Sequence, residues 1–118
     1  MQDTKLTNMV RAYCGAYQTE NRAAAEALLT EDFRFTSPND DAIDKATYFE
    51  RCWPDRDVHH EQQIENIVVE GEQAFVTYSC TTAGGKSFRN TEFLTFSGER
   101  IASVNLYFGP TWQNGVLV

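Results

Sequence analysis

No stretch of the sequence approaches the roughly 18 consecutive apolar residues of a membrane span, and its start, MQDTKLTNMVRAYC, lacks the basic-then-apolar build of a secretory signal. These absences predict a cytoplasmic protein with no membrane partner. Positive charge is also scarce: Lys and Arg number 10 against 17 Asp and Glu, for a formal net charge of −7. Binding a phosphate backbone relies on clustered Lys and Arg, so no nucleic acid is expected as a partner. The three cysteines, Cys14, Cys52 and Cys80, are odd in number, widely spaced and form no CxxC pair. They read as small buried hydrophobes, with a reactive thiol as the alternative.

Chemical motifs are missing too. Gly84, Gly85 and Lys86 form a turn, because the Gly-x-x-x-x-Gly-Lys spacing of a phosphate loop is absent and no helix follows. There is no GxSxG nucleophile motif. His59 and His60 are adjacent, so in a strand they point to opposite faces, and nothing else offers ligand spacing. No metal and no cofactor are expected. One of the two histidines facing a pocket mouth as an acid or base, or a surface position for both, are the readings left open.

What is present suits one compact unit. A chain of 118 residues, 42% hydrophobic and 13% aromatic, is long enough for one sizeable core, so residues 1–118 are read as one domain. Leu6, Met9, Val10, Tyr13 and Tyr17 recur at helical spacing and predict a first helix over about residues 4–18. Asn21 can cap a second, alanine-rich helix in NRAAAEALLT. FRFT alternates as a short strand, followed by an acidic loop, SPNDDAID. Asp44 can cap a third helix carrying Tyr48, Phe49 and Trp53, with Ile43 and Tyr48 as a staple and Pro54 limiting its end.

After about residue 60, HEQQIENIVVE, QAFVTYSCTT, KSFRNTEFLTF and RIASVNLYFG are separated by EGE, AGG and SGE, glycine turns of hairpin length. Helices first and a strand meander afterwards predict an α+β domain, with about three N-terminal helices packed on one face of a curved antiparallel sheet. Ala74, Val76, Tyr78 and Cys80 on one strand, and Ala102, Val104, Leu106 and Phe108 on the last, form faces apolar enough to lie under the helices. The opposite faces (Thr77, Ser79, Thr81; Ser103, Asn105, Tyr107) are polar without strong charge, and a homodimer through the sheet is expected.

SFRNTEFLTF poses the functional question. Successive strand side chains alternate, so Phe88, Asn90, Glu92, Leu94 and Phe96 share a face, and two polar groups sit on it. A carboxylate inside an apolar shell has its pKa raised by desolvation and becomes a proton donor or shuttle near neutrality. The other reading is a structural glutamate that pairs with a nearby arginine or accepts hydrogen bonds from tyrosines. Asn90 beside it favours a pocket, because a core would have no polar pair there. Arg89 and Thr91 point the other way, so an Arg89–Glu92 salt bridge is not expected.

The stretches RAYCGAYQTENRAAAEALLTEDFRFTSPNDD, YFERCW and NTEFLTFSGERIASVNLYFG together resemble the cone-shaped α+β superfamily of nuclear transport factor 2, ketosteroid isomerase and the polyketide-cyclase-like (SnoaL-like) proteins. The resemblance covers nearly the whole chain and implies the cone fold, which hosts isomerases, cyclases, hydrolases and non-enzymatic binders. In ketosteroid isomerase an aspartate base works with an oxyanion hole of a tyrosine and a protonated aspartate. By position, the oxyanion tyrosine matches Tyr13, the neutral acid matches Glu92, and the base falls on Ser37.

A serine without an activating base cannot take a proton from carbon at neutral pH, so the isomerase mechanism does not carry over as written. Asp40 or Asp41, just beyond, could substitute, or both could belong to a solvated loop. Tyr13 is either core or pocket. The candidate catalytic residues are therefore Glu92, Tyr13 and Asp40. The candidate ligand-binding residues are Tyr17, Phe33, Tyr48, Trp53, Tyr78, Asn90, Val104 and Phe108, since aromatic lining with few polar groups is how a site for an apolar molecule is built. The expected function is binding of a small hydrophobic molecule, with isomerase or cyclase chemistry by proton transfer. The alternative is a non-catalytic ligand-binding or dimerisation module of the same fold.

Overall fold

The computed structural model describes residues 4–53 and 60–118. Pro54, His59 and the side chain of His60 lie outside the described residues, and so do the helix limit and the pocket-mouth role considered for them. The order of elements is α1 (Thr4–Gln18), α2 (Arg22–Ala27), β1 (Leu29–Ser37), β2 (Asp40–Asp44), α3 (Lys45–Arg51), β3 (His60–Glu70), β4 (Gln73–Thr82), β5 (Lys86–Ser97), β6 (Arg100–Gln113) and β7 (Val116–Leu117). No helix among the described residues is long and apolar enough to cross a membrane.

Helix α1 buries Leu6, Met9, Val10, Tyr13 and Cys14 on the stripe that its 3–4 residue spacing creates. Asn21 caps α2 by accepting from the Ala24 N–H at 3.1 Å, and Asp44 caps α3 by accepting from the Thr47 N–H at 2.9 Å. Each cap satisfies a backbone donor that has no carbonyl one turn back. The second helix is shorter than its alanine content suggests, because Leu29 and Thr30 already belong to β1. Burying Leu29 and Phe33 fully in the core outweighs a modest helix propensity. Helix α3 ends at Arg51, so Trp53 lies beyond it rather than on it.

The helices pack on a curved seven-stranded sheet of order β2-β1-β6-β5-β4-β3, with β7 added to β6. Two details depart from the expected antiparallel meander. The stretch taken for an acidic loop supplies β2, which turns back on β1 through Pro38 and Asn39 and pairs Phe35 with Ile43. The sheet is mixed, because β6 returns beside β1 running in the same direction, with Phe35 opposite Val104. Three successive hairpins leave β6 antiparallel to β3, and β3 runs opposite to β1, so β6 comes back parallel to β1.

Bulges bend the sheet and re-aim side chains. At the start of β6, Thr95 pairs with Ser103 but Phe96 pairs with Ile101, so Ala102 is the extra residue. Ile101, fully buried, therefore takes the core position that strict alternation assigns to Ala102, which is only half-buried. A second irregularity sets Gly109 and Pro110 against Arg89. A Cβ on Gly109 would lie 2.2 Å from the Arg89 carbonyl oxygen, so only glycine permits this approach.

Candidate functional site

The concave side of the sheet, α1 and the end of α3 enclose a cavity of about 580 Å³. Helix α1 contributes Tyr13, Cys14 and Tyr17, and α3 contributes Tyr48, Arg51 and, just past its end, Cys52. The β1–β2 hairpin adds Phe35, Ser37 and Asp40. The inner faces of β4, β5 and β6 add Tyr78, Cys80, Phe88, Asn90, Glu92, Leu106 and Phe108. Alternation along β5 puts Phe88, Asn90 and Glu92 on this wall, while Arg89 pairs outside with Glu65 at 3.1 Å.

Glu92 is the electrostatic centre. It is 8% exposed, and one oxygen, Oε2, accepts from the Tyr78 hydroxyl at 2.5 Å, while Oε1 has no hydrogen-bond partner among the described residues. Burial raises its pKa from 4.5 to about 7, and the Tyr78 hydrogen bond pulls in the opposite direction. Asn90, also 8% exposed, points Nδ2 at the Tyr78 oxygen at 3.5 Å. The sequence alone placed Glu92, Asn90 and Tyr78 on inward faces but gave no sign that Tyr78 is the donor. Their register supplies that link, since Asn90 lies opposite Tyr78 and Glu92 opposite Val76 on β4.

Tyr13 and Tyr48 share a hydrogen bond of 2.6 Å between their hydroxyls. Burial keeps both well above the usual tyrosine pKa, so they remain neutral donors. Tyr13 thus meets Tyr48 rather than a carboxylate, an arrangement that needs two helices to see. Tyr17 also lines the cavity and donates to the Cys52 carbonyl at 2.9 Å.

Asp40 lies at the cavity wall and Asp41 is exposed. Asp40 Oδ2 accepts from the Ser37 hydroxyl at 3.0 Å and from the Cys52 thiol at 3.7 Å. Its Oδ1 sits 2.9 Å from Arg51 Nη2, a contact of charges without hydrogen-bond alignment. Ser37, at the position the resemblance gives to a base, is thus a donor to the neighbouring aspartate. Arg51 was not singled out from sequence. Its position three residues after Tyr48, on the same side of α3, was the available signal.

Of the remaining candidates, Phe108 borders the cavity and is 50% exposed. Phe33 and Val104 are fully buried behind the wall, where Phe33 packs on the Tyr48 ring at 5.3 Å. Trp53 supports the wall from outside through the edge of Tyr17 at 5.5 Å. All three cysteines reach the cavity. Burial pushes the Cys52 and Cys80 thiols up to about 11 and the Cys14 thiol higher still, so they are protonated and poorly nucleophilic. No group of metal ligands occurs among the described residues.

The model of the SnoaL-like domain matches residues 10–104. The chain belongs to the SnoaL-like domain family. A protein from Kribbella flavida, whose description as a ketosteroid isomerase is itself provisional, superposes with a TM-score of 0.78 at 19% identity, covering 92% of this chain and 81% of that one. An NTF2-like protein of unknown function from Cytophaga hutchinsonii gives 0.73 at 22% identity, covering 92% of both chains. An LEH-like epoxide hydrolase from M. tuberculosis gives 0.71 at 21% identity, covering 89% of this SnoaL-like chain and 83% of its own. The sequence matches none of the curated proteins. At these identities the likeness establishes the fold, and structures with this fold carry isomerase, cyclase and hydrolase descriptions.

Proposed function

We propose that this SnoaL-like protein binds a small, mainly hydrophobic molecule in the cavity and that Glu92 moves a proton to or from it. The observation that carries the reading is a buried carboxyl, with one oxygen unpartnered among the described residues, on the wall of a cavity where Tyr13, Tyr17, Phe35, Tyr48, Phe88 and Leu106 supply aromatic and aliphatic surface. A group whose pKa lies near 7 exchanges protons efficiently in either direction at neutral pH. One hydroxyl proton of the neutral Tyr13–Tyr48 pair is used in their mutual hydrogen bond, which leaves one O–H to donate toward negative charge that develops on the molecule, and Asp40 is the second carboxyl at the wall.

5-Nitrobenzisoxazole tests proton transfer directly, because its ring opens when a base removes the proton on carbon as the N–O bond breaks. The wild-type rate is expected to rise with pH through about 7, as the Glu92 carboxylate forms, and Glu92→Gln is expected to lower it about 100-fold. Equal rates in the two proteins refute the role of Glu92. A non-catalytic carrier is the second reading, favoured by one observation: Ser37 donates to Asp40, and Arg51 sits on that aspartate, so the hairpin holds no free base. Native mass spectrometry that finds a co-purified molecule while the benzisoxazole stays intact supports the carrier.

The homodimer is proposed through the convex face of the sheet. Val68, Phe75 and Phe93 form one cross-strand row there, and Thr77, Thr91 and Tyr107 form the next. The Phe75 and Phe93 rings lie 4.7 Å apart in a tilted contact, and Phe75 and Tyr107 are exposed. A twofold interface sets a surface against itself, and these two rows carry no charged residue between two chains of net charge −7. Sedimentation at micromolar concentration checks this: Phe75→Glu is expected to give the monomer mass, and a wild-type protein already at that mass overturns it.

A further inference from the structure

Two buried acceptors on the cavity wall meet no hydrogen-bond donor among the described residues. Asn90 and Glu92 are both more than nine-tenths buried, and Asn90 Oδ1 and Glu92 Oε1 have no hydrogen-bond partner among the described residues. The direction of the Asn90 amide follows from its neighbour. The Tyr78 hydroxyl has one proton, directed at Glu92 Oε2 at 2.5 Å, so the Tyr78 oxygen is left to accept. The Asn90 group 3.5 Å from it is therefore the Nδ2 donor, and Oδ1 is the free end. With Glu92 ionised, two acceptor oxygens two positions apart on one strand face line the cavity.

Charge is unbalanced at the same place. Among the described residues lining the cavity, Arg51 is the one cation, and it lies against Asp40. An acceptor left unmade in a buried site costs about 1–3 kcal/mol, and more when it is charged. A ketone oxygen would add a third acceptor to the pair, and a hydroxyl brings one proton for two oxygens. A primary ammonium brings three N–H donors and a positive charge.

We propose that the cavity takes a primary amine carried on an apolar body, with the ammonium donating to Asn90 Oδ1 and Glu92 Oε1 and the body lying against Phe35, Phe88 and Leu106. This rests on the reading that the cavity binds a small hydrophobic molecule, and it names the polar group that molecule carries. The site selects by the number of donors and by charge, while the aromatic wall selects only for size and apolarity.

Among the described residues, the groups that feel the Glu92 charge are Tyr13, Cys14 and Tyr17 on α1, Tyr48 on α3, and Tyr78 and Cys80 on β4. All six are held protonated by burial well above neutral pH, so among them Glu92 alone changes charge between pH 5 and 8. An alkylammonium, with a pKa near 10, stays charged throughout. Amine affinity is then expected to fall about 100-fold from pH 8 to pH 5 as Glu92 protonates.

Three adamantyl probes of nearly equal size, 1-adamantanemethylamine, 1-adamantanemethanol and 1-adamantyl methyl ketone, test this by titration calorimetry on the full chain. At pH 8 the amine is expected to bind at least 10-fold more tightly than the other two and to show the pH slope, which the alcohol and ketone lack. Glu92→Gln is expected to bring the amine down to the alcohol and to flatten its slope; the wild-type pH series stands without that variant if it does not fold. Ketone or alcohol binding as tight as the amine overturns the amine assignment and leaves the apolar cavity reading intact. No binding by any probe at millimolar concentration overturns both.

Discussion

Replacing Glu92 with glutamine removes a charge from the cavity while keeping the shape and an oxygen for the Tyr78 hydroxyl, so the consequence for stability can be worked out from burial alone. Folding raises the carboxyl pKa from 4.5 to about 7, chiefly through desolvation. A raised carboxyl binds its proton more tightly in the folded state than in the unfolded one. Its favourable contribution is therefore complete below pH 4.5 and is lost as pH rises to about 7. The rise of about 2.5 pH units, at 1.36 kcal/mol for each, gives about 3 kcal/mol of lost stability. Glutamine does not titrate. The stability of Glu92→Gln minus that of wild type should thus be near its minimum at pH 4.5 and grow by about 3 kcal/mol by pH 8. Urea unfolding of both proteins at half-unit pH steps measures this difference, in which other titrating groups cancel. A difference that stays flat from pH 4.5 to 8 refutes the claim that Glu92 is a desolvated acid, and the proton-transfer reading falls with it.

Tyr78→Phe removes the hydrogen bond that favours the Glu92 carboxylate, so the pH midpoint of 5-nitrobenzisoxazole opening should move above 7; an unmoved midpoint means the bond does not bear on the acid. Gly109→Ala forces a Cβ against the Arg89 carbonyl and should destabilise the fold by about 2–4 kcal/mol in urea unfolding, whereas a change under about 0.5 kcal/mol shows that β6 slides freely at this point. Arg51→Ala should cost at most about 1 kcal/mol in stability, because the arginine is 54% exposed and solvent screens it. The same change removes the cation held against Asp40 Oδ1 while Ser37 and Cys52 still donate to Oδ2, and the benzisoxazole rate reports whether that aspartate can then serve as a second base.

How much of this was legible in the sequence depended on whether a local rule decided the outcome. The 3–4 residue spacing of α1, the caps at Asn21 and Asp44, and the alternation that turns Asn90 and Glu92 inward are set within a few residues, and the fold keeps them. Alternation fails at Ala102, where a bulge inserts an unpaired residue that no hydrophobic pattern announces. The acidic stretch after Pro38 has the composition of a loop, yet Asp40–Asp44 forms a strand because β1 offers it an edge. Ala42 there takes a left-handed φ of 48°, and Thr36 accepts from its N–H at 3.1 Å. The wiring of the site was the least visible. Tyr13 to Tyr48 and Tyr78 to Glu92 join residues 35 and 14 positions apart, so residue types could be guessed but not their partners.

The parallel contact between β1 and β6 also dictates the order in which the chain can become a protein. Leu29 finds its neighbour only at Ile101, and β1 otherwise has just the short β2 beside it. On a ribosome the N-terminal helices and the first hairpin emerge long before that neighbour, with Phe33 and Phe35 waiting uncovered. The meander from β3 to β6 consists of near-neighbour hairpins and can form quickly, but the cavity closes only when its last strand docks against the first. This late, long-range step is where a nascent chain is most exposed to wrong pairing, and where a chaperone or an early-arriving ligand would have the greatest effect on yield.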